Sequence, residues 1–234
     1  MLLSAQSKAP GATDALAELC KTYWYPIYAF VRRRGYNADE AQDLTQGFFL
    51  HLLDHQALRQ VSPAKGKFRS FLAASLQNYL SDQADRSRRQ KRGGSIEFIP
   101  FDPQLAECRY QAGAVDFLTA QRIFDARWAM TLLDEAMTRL GRQYASLGKT
   151  AIFDTLRPFL DPINNQASLS YEQVARDLQV SMGSVKTLIH RLRKQYTALL
   201  REEIARTVGD PAEIDEEIHA LCDALIKTEG LLDS

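Results

Sequence analysis

The chain has 234 residues, 45% of them hydrophobic and 25% charged, which suffices to bury a core in one large domain or two small ones and argues against a disordered or fibrous chain. No run approaches the ~18 consecutive apolar residues of a membrane-spanning helix, and Met1-Leu2-Leu3-Ser4 lacks the basic start and long apolar stretch of a secretory signal, so a cytoplasmic protein with no membrane partner is expected. Cys20, Cys108 and Cys222 are odd in number and far apart, which excludes a disulfide framework or a zinc knuckle and predicts reduced, structural thiols.

Lys and Arg number 29 and Asp and Glu number 29, yet this zero net charge is unevenly distributed. From Ala84 to Gly94 five cations face one carboxylate, a net of +4. From Lys186 to Arg201 there are five cations and no carboxylate, a net of +5. From Glu202 to Ser234 ten carboxylates face Arg206 and Lys227 alone, a net of −8. Two basic stretches and an acidic tail describe a polyanion-binding protein whose neutrality is a cancellation.

Helical spacing dominates and no alternating strand pattern is found, so the predicted fold is all-α. Leu16, Leu19, Tyr23, Tyr28 and Val31 place a first helix over Asp14 to Arg34, kinked or divided at Pro26 and ended by Gly35. Asn37 and Glu40 form a capping-box pattern before Ala41, Leu44, Phe48 and Leu52, which run down one helix face. The loop Ser62 to Lys67 intervenes, after which Phe68, Phe71, Leu72, Leu76, Tyr79 and Leu80 predict a third helix that runs into the first basic stretch. Paired Gly, two Pro and no sustained period mark a linker over 93–121. Phe124, Trp128, Leu132, Ala136 and Leu140 then open a long helix, which Ile152, Phe153, Leu156 and Leu160 are expected to continue. An acidic helix is expected around Ala212 to Ile226. The predicted layout is a helical domain over 1–92, the linker, a second helical domain over 122–206 and an acidic extension over 207–234.

The segment Ser170 to Leu192 carries the pattern of a helix-turn-helix. Ser170 can cap the first helix with Gln173 as its reciprocal partner, and Ser181 can cap the second. Val174, Leu178, Val180, Val185, Leu188 and Leu192 supply a shared core, and small Ala175 permits close crossing. Ser184, Lys186, Thr187, His190, Arg191 and Lys194 then share the solvent face of the second helix, with short polar groups near its start for base edges and cations beyond them for phosphates. At the turn, where a glycine is usual, stands Gln179, which must take a positive φ at ~1 kcal/mol or reshape the turn. Phe68-Arg69-Ser70-Phe71-Leu72, Asn78 and the run Arg86 to Arg92 interleave aromatic and basic residues, which suits single-stranded nucleic acid. Gly148-Lys149-Thr150 lacks the glycine and strand of a phosphate-binding loop, and His51 with His55 lacks a third ligand. No nucleophile–base pair or paired carboxylate setting is found, so neither an enzyme nor a cofactor or metal is expected.

Asp39-Glu40-Ala41-Gln42-Asp43-Leu44-Thr45-Gln46-Gly47-Phe48-Phe49-Leu50 resembles the region 2 helix of bacterial extracytoplasmic-function sigma factors, the subunits that direct RNA polymerase to promoters. Phe68-Arg69-Ser70-Phe71-Leu72 with Asn78 and Asp82 resembles that family's promoter-melting helix, and the helix-turn-helix falls where its region 4 stands. The resemblance spans roughly Asp14 to Arg206. It implies that Asp39, Glu40, Asp43, Gln46 and Phe49 bind core RNA polymerase. Lys65, Lys67, Phe68, Arg69, Asn78, Arg86, Arg88 and Arg89 would bind the −10 promoter element, with an unstacked base held near Phe68 and Asn78. Ser184, Lys186, Thr187, His190, Arg191 and Lys194 would bind the −35 element in duplex DNA.

The family commonly carries glutamates where this chain has Gln42 and Gly47, so two carboxylates are missing from the polymerase-binding helix. Thr45 lies between these positions, and a phosphate there would add about −1.5 to −2 of charge. The run Asp43 to Phe49, Gly93-Gly94 and Arg201-Glu202-Glu203-Ile204-Ala205 are similar to a branch of the family associated with Ser/Thr protein kinases. Thr45 is therefore the candidate phosphorylation site, and the implied partners are core RNA polymerase, promoter DNA and a Ser/Thr protein kinase, or an anti-sigma factor in place of the kinase. The acidic tail is a candidate competitor of DNA for the two basic stretches. The alternative reading is a one-component helix-turn-helix regulator that binds duplex DNA without polymerase.

Overall fold

The structure, a computed structural model, describes residues 12–54, 67–89, 107, 110, 119–160 and 170–226. Among these it is all-α, with eight α-helices and no strand. They are α1 (Ala12–Arg33), α2 (Ala38–Asp54), α3 (Phe68–Arg89), α4 (Ala120–Ser146), α5 (Thr150–Leu156), α6 (Tyr171–Asp177), α7 (Met182–Ala205) and α8 (Ile214–Ile226), with 3-10 turns at Arg157–Leu160 and Pro211–Glu213. No helix among the described residues is long and apolar enough to cross a membrane. The chain forms two compact units, residues 1–131 with 204–234, and residues 132–203.

In the first unit α1 is the central helix. Residues 23 to 31 are buried all round, including Trp24, Ile27, Tyr28 and Phe30. Pro26 lies inside this stretch, and of the two alternatives expected, a kink or a division, the helix is not divided. Each large apolar side chain buried contributes ~1.5–3 kcal/mol, and several together exceed the ~3 kcal/mol that an interior proline costs. Gly35, at φ +95°, turns the chain out of α1. The capping box of α2 has both arms: the Asn37 N–H donates to Glu40 Oε2 at 3.0 Å and the Glu40 N–H to Asn37 Oδ1 at 2.9 Å.

Two boundaries differ from those predicted. The first half of α4 belongs to the first unit, because Trp128 stacks on Tyr23 with ring centroids 3.9 Å apart and Phe124 meets Phe30 edge-on at 6.2 Å. The acidic extension also belongs there: the Phe68 N–H donates to the Thr207 carbonyl at 3.1 Å, and Glu217 and Leu221 of α8 are buried. Most of the predicted linker lies outside the described residues. Glu107, within it, accepts from Arg32 at 2.7 and 3.0 Å and from the Tyr28 hydroxyl, while Arg32 lies over the Tyr110 ring at 4.9 Å. That part is tied to α1.

The second unit packs α4's second half, α5, α6 and α7 around Leu140, Phe153, Leu156, Val174, Val185, Ile189 and Leu192. The predicted continuation of α4 to Leu160 does not occur. Gly148 takes φ +67°, its N–H donates to the Ala145 carbonyl at 3.0 Å, and the Lys149 N–H donates to the Tyr144 carbonyl at 2.8 Å. This left-handed glycine cap satisfies the last carbonyls of α4 and starts a separate helix, α5, so Gly148-Lys149-Thr150 is a helix end. Arg139 of α4 pairs with Glu202 at 2.8 Å and with Glu203, fixing α4 against the end of α7.

Candidate nucleic-acid interface

In the second unit, α6 and α7 are joined by the turn Leu178-Gln179-Val180-Ser181. Ser170 caps α6 by accepting from the Glu172 N–H at 3.1 Å. The reciprocal arm expected from Gln173 is absent, because its side chain donates to Asp177 at 2.8 Å and accepts from Arg176 at 2.7 Å. Gln179 takes φ 54°. Its N–H donates to the Arg176 carbonyl at 3.2 Å and that of Val180 to Ala175 at 2.9 Å, so the bonds of a glycine-type cap form around a residue with a side chain. Ser181 caps α7 by accepting from the Ser184 N–H at 3.2 Å.

Val185, Ile189 and Leu192 anchor one side of α7 in the core. At 100° per residue, Ser184, Lys186, Thr187, His190, Arg191 and Lys194 fall on the opposite arc, and all six are exposed. Among the described residues, no side-chain hydrogen bond or ion pair engages Lys186, His190, Arg191 or Lys194. Arg193, although exposed, donates twice to the Phe159 carbonyl, at 3.1 and 3.3 Å, and serves the fold. The Thr187 hydroxyl donates to the Gly183 carbonyl at 3.0 Å, and its oxygen can still accept a hydrogen bond. Ser184 shares a hydrogen bond of 2.9 Å with Ser181. Arranged in this way, the face offers four cationic or protonatable tips and two oriented hydroxyls, a chemistry suited to phosphates and base edges.

In the first unit the residues expected by resemblance to bind polymerase divide. Asp39, Glu40 and Asp43 are exposed on α2, with Glu40 engaged in the cap. Gln46 is buried and Phe49 is 1% exposed, because α2 turns them, with Phe48 and Leu52, toward the core; neither side chain forms a surface for a partner in this packing. Thr45 is also fully buried, with its hydroxyl donating to the Ala41 carbonyl at 2.6 Å. Gly47 is a packing position: a Cβ there would fall on the Tyr79 hydroxyl, so any side chain at 47 requires Tyr79 to shift.

The residues expected by resemblance to bind a −10 element divide as well. Phe68 is 2% exposed and packs among Tyr23, Trp128 and Phe71 at 5.9, 6.1 and 6.2 Å, which makes it a core ring with no face for a base. Asn78 is exposed. Arg86, Arg88 and Arg89 lie in the last turn of α3, and Lys65 lies outside the described residues. Lys67 and Arg69 meet carboxylates. Lys67 Nζ is 3.2 Å from Glu216 and 3.1 Å from Glu217, and Arg69 Nε donates to Glu217 Oε1 at 2.8 Å. Arg69 Nη2 donates to Glu217 Oε2 at 3.3 Å, and Nη1 pairs with Asp125. Burial pulls the pKa of both cations down, but the hydrogen bonds and charges of Glu217, with Glu216 for Lys67 and Asp125 for Arg69, outweigh it and raise both above their ordinary values.

Glu217 and Asp125 did not emerge from the sequence as functional positions. A signal for Glu217 exists: it stands four residues before Leu221, on the apolar side of α8, where a carboxylate requires a buried cationic partner. The described tail thus meets Lys67 and Arg69, which belong to neither basic stretch. Cys222 is an exposed free thiol, in contrast to the structural role expected. His51 lies 5.3 Å from the Tyr79 ring, and His55 is outside the described residues. Among the described residues no group of three His, Cys, Asp or Glu can hold a metal. No family model, characterised protein or solved structure matches the chain.

Proposed function

We propose that this chain is a sigma factor of the extracytoplasmic-function type, which binds core RNA polymerase and directs it to promoters, and that it has no catalytic activity of its own. The observation that carries the DNA-binding half is the solvent arc of α7. Lys186, His190, Arg191 and Lys194 engage no side-chain partner among the described residues, whereas neighbouring Arg193 is used by the fold. In this reading α6 and α7 are a helix-turn-helix whose second helix enters the major groove of the −35 element. The polymerase-binding half rests on the resemblance of α2, narrowed by burial to the exposed carboxylates Asp39, Glu40 and Asp43.

Control by a Ser/Thr protein kinase at Thr45 belongs to the same proposal, with one physical condition. A phosphate cannot fit beside the Ala41 carbonyl in the packed helix, so a kinase must act on a locally opened α2. The modified form then presents a different α2 surface to polymerase. Equal recovery of core polymerase by unmodified and kinase-treated protein would refute kinase control and assign regulation to an anti-sigma factor or to the chain itself.

A gel shift tests the function directly. Promoter DNA retarded only when core polymerase is present is the expected result. Tight binding of a symmetric duplex site by the free protein would overturn it in favour of a one-component regulator.

A further inference from the structure

Three phosphate-type donors converge at the start of α3: the Lys67 ammonium, the Phe68 backbone N–H and the Arg69 guanidinium. Each is satisfied by an oxygen from the C-terminal segment. The Thr207 carbonyl accepts from the Phe68 N–H, and Glu216 and Glu217 take the two side chains. We infer that Glu216 and Glu217 occupy the positions on Lys67 and Arg69 that backbone phosphates of an unpaired DNA strand take, making α8 a built-in competitor of DNA. This inference rests on the proposed −10 role of Lys67 and Arg69 and names the regulation of that site.

The chemistry is the same for both occupants. A guanidinium fork binds the two oxygens of a carboxylate or of a phosphate in parallel hydrogen bonds, and the first N–H groups of a helix donate to either anion. Asp125 of α4 is a third carboxylate on Arg69 and itself accepts from Gln121 at 3.2 Å. It stays with the core when α8 leaves, and it holds the guanidinium pointed at the site.

The docking of α8 is shallow. Of its 13 residues only Glu217 and Leu221 are buried, and the Glu216 side chain is 75% exposed. Charge pairs through Glu216 and Glu217 are part of its attachment, and a polyanion competes with charge pairs directly.

The test compares the full-length protein with Glu216→Gln/Glu217→Gln for binding to a labelled single-stranded oligonucleotide of about 20 nucleotides. Releasing Lys67 and Arg69 from Glu216 and Glu217, with Asp125 still on Arg69, should steepen the dependence of log affinity on log salt by about 0.7 to 1.4, so the variant's advantage should grow about three- to seven-fold from 200 to 50 mM salt. Adding Arg69→Ala should remove up to about half of that steepening and leave the Lys67 share. Equal affinities and equal salt slopes for variant and parent would overturn the inference. Hydrogen exchange on the unmutated chain provides a second measurement that does not depend on the variant folding. Residues 214–226 should lose protection when the oligonucleotide is added, and unchanged protection would overturn the competitor role. Core-polymerase pull-down separates this inference from the proposed function. Polymerase recovered by both proteins without any gain in DNA binding rejects the competitor and leaves the sigma reading standing. A gain in DNA binding with polymerase recovered by neither protein, before or after kinase treatment, supports the competitor and rejects the sigma reading.

Discussion

Gly47 offers a quantitative test of the packing of α2. In the folded chain a Cβ at this position would fall on the Tyr79 hydroxyl, while the Tyr79 Cζ would lie 3.5 Å away, an ordinary contact. The hydroxyl cannot swing aside freely, because its ring is packed against Phe48 and His51 at 5.7 and 5.3 Å. Gly47→Ala should therefore pay an overpacking cost of ~1–3 kcal/mol, offset by up to ~1 kcal/mol of improved helix propensity. The expected net loss is about 1–2 kcal/mol. In a Tyr79→Phe background the clash disappears and the same substitution should be neutral or stabilising by up to ~1 kcal/mol, a coupling of about 2 kcal/mol. Urea denaturation followed by tryptophan fluorescence isolates the relevant unit, since both tryptophans, Trp24 and Trp128, are buried in it. An equal effect of Gly47→Ala in both backgrounds would refute the contact, and a glutamate at 47 should destabilise the unit where the family resemblance alone would have it improve docking.

Arg191→Ala or Lys194→Ala should weaken binding to all −35 sequences alike and lower the magnitude of the salt slope by about 0.9, as lost phosphate contacts do, whereas changes at Ser184 or Thr187 should alter sequence preference; electrophoretic titrations at several salt concentrations distinguish the two. Thr45→Glu should cost the first unit several kcal/mol in tryptophan-detected urea denaturation, because it buries a carboxylate beside a carbonyl, and parental stability would mean that this side chain reaches solvent. Burial, then the hydrogen bond and charge of Glu107, raise the Tyr28 phenol well above its ordinary value of 10.0. A group whose folded pKa is raised contributes stability below its unfolded pKa and loses it as pH rises toward the folded value, so the first unit should weaken progressively above pH 10.0. Tyr28→Phe should abolish that component of the pH dependence, and an unchanged profile would remove Tyr28 as its source.

Local rules read from the sequence account for several helix starts and turns. The Asn37–Glu40 box and the Ser170 and Ser181 caps depend on residues within three positions of each other, and Gln179 takes the positive φ that its place in a tight turn demands. The exposed arc of α7 follows from helical period alone, because Val185, Ile189 and Leu192 leave one solvent side. Tertiary packing decided the rest. Helical spacing places Thr45, Gln46 and Phe49 on α2 but does not say which neighbours cover them, so residues with a surface role by resemblance lie inside. Phe68 could have been a stacking platform or a core ring, and the rings of Tyr23 and Trp128, distant in sequence, made it core. The largest departure is the acidic tail, whose composition indicated attraction to cations without indicating which. Glu217 meets Lys67 and Arg69, some 150 positions away, because the fold returns the chain to the start of α3, and no periodicity or spacing in the sequence encodes an ion pair between positions that far apart.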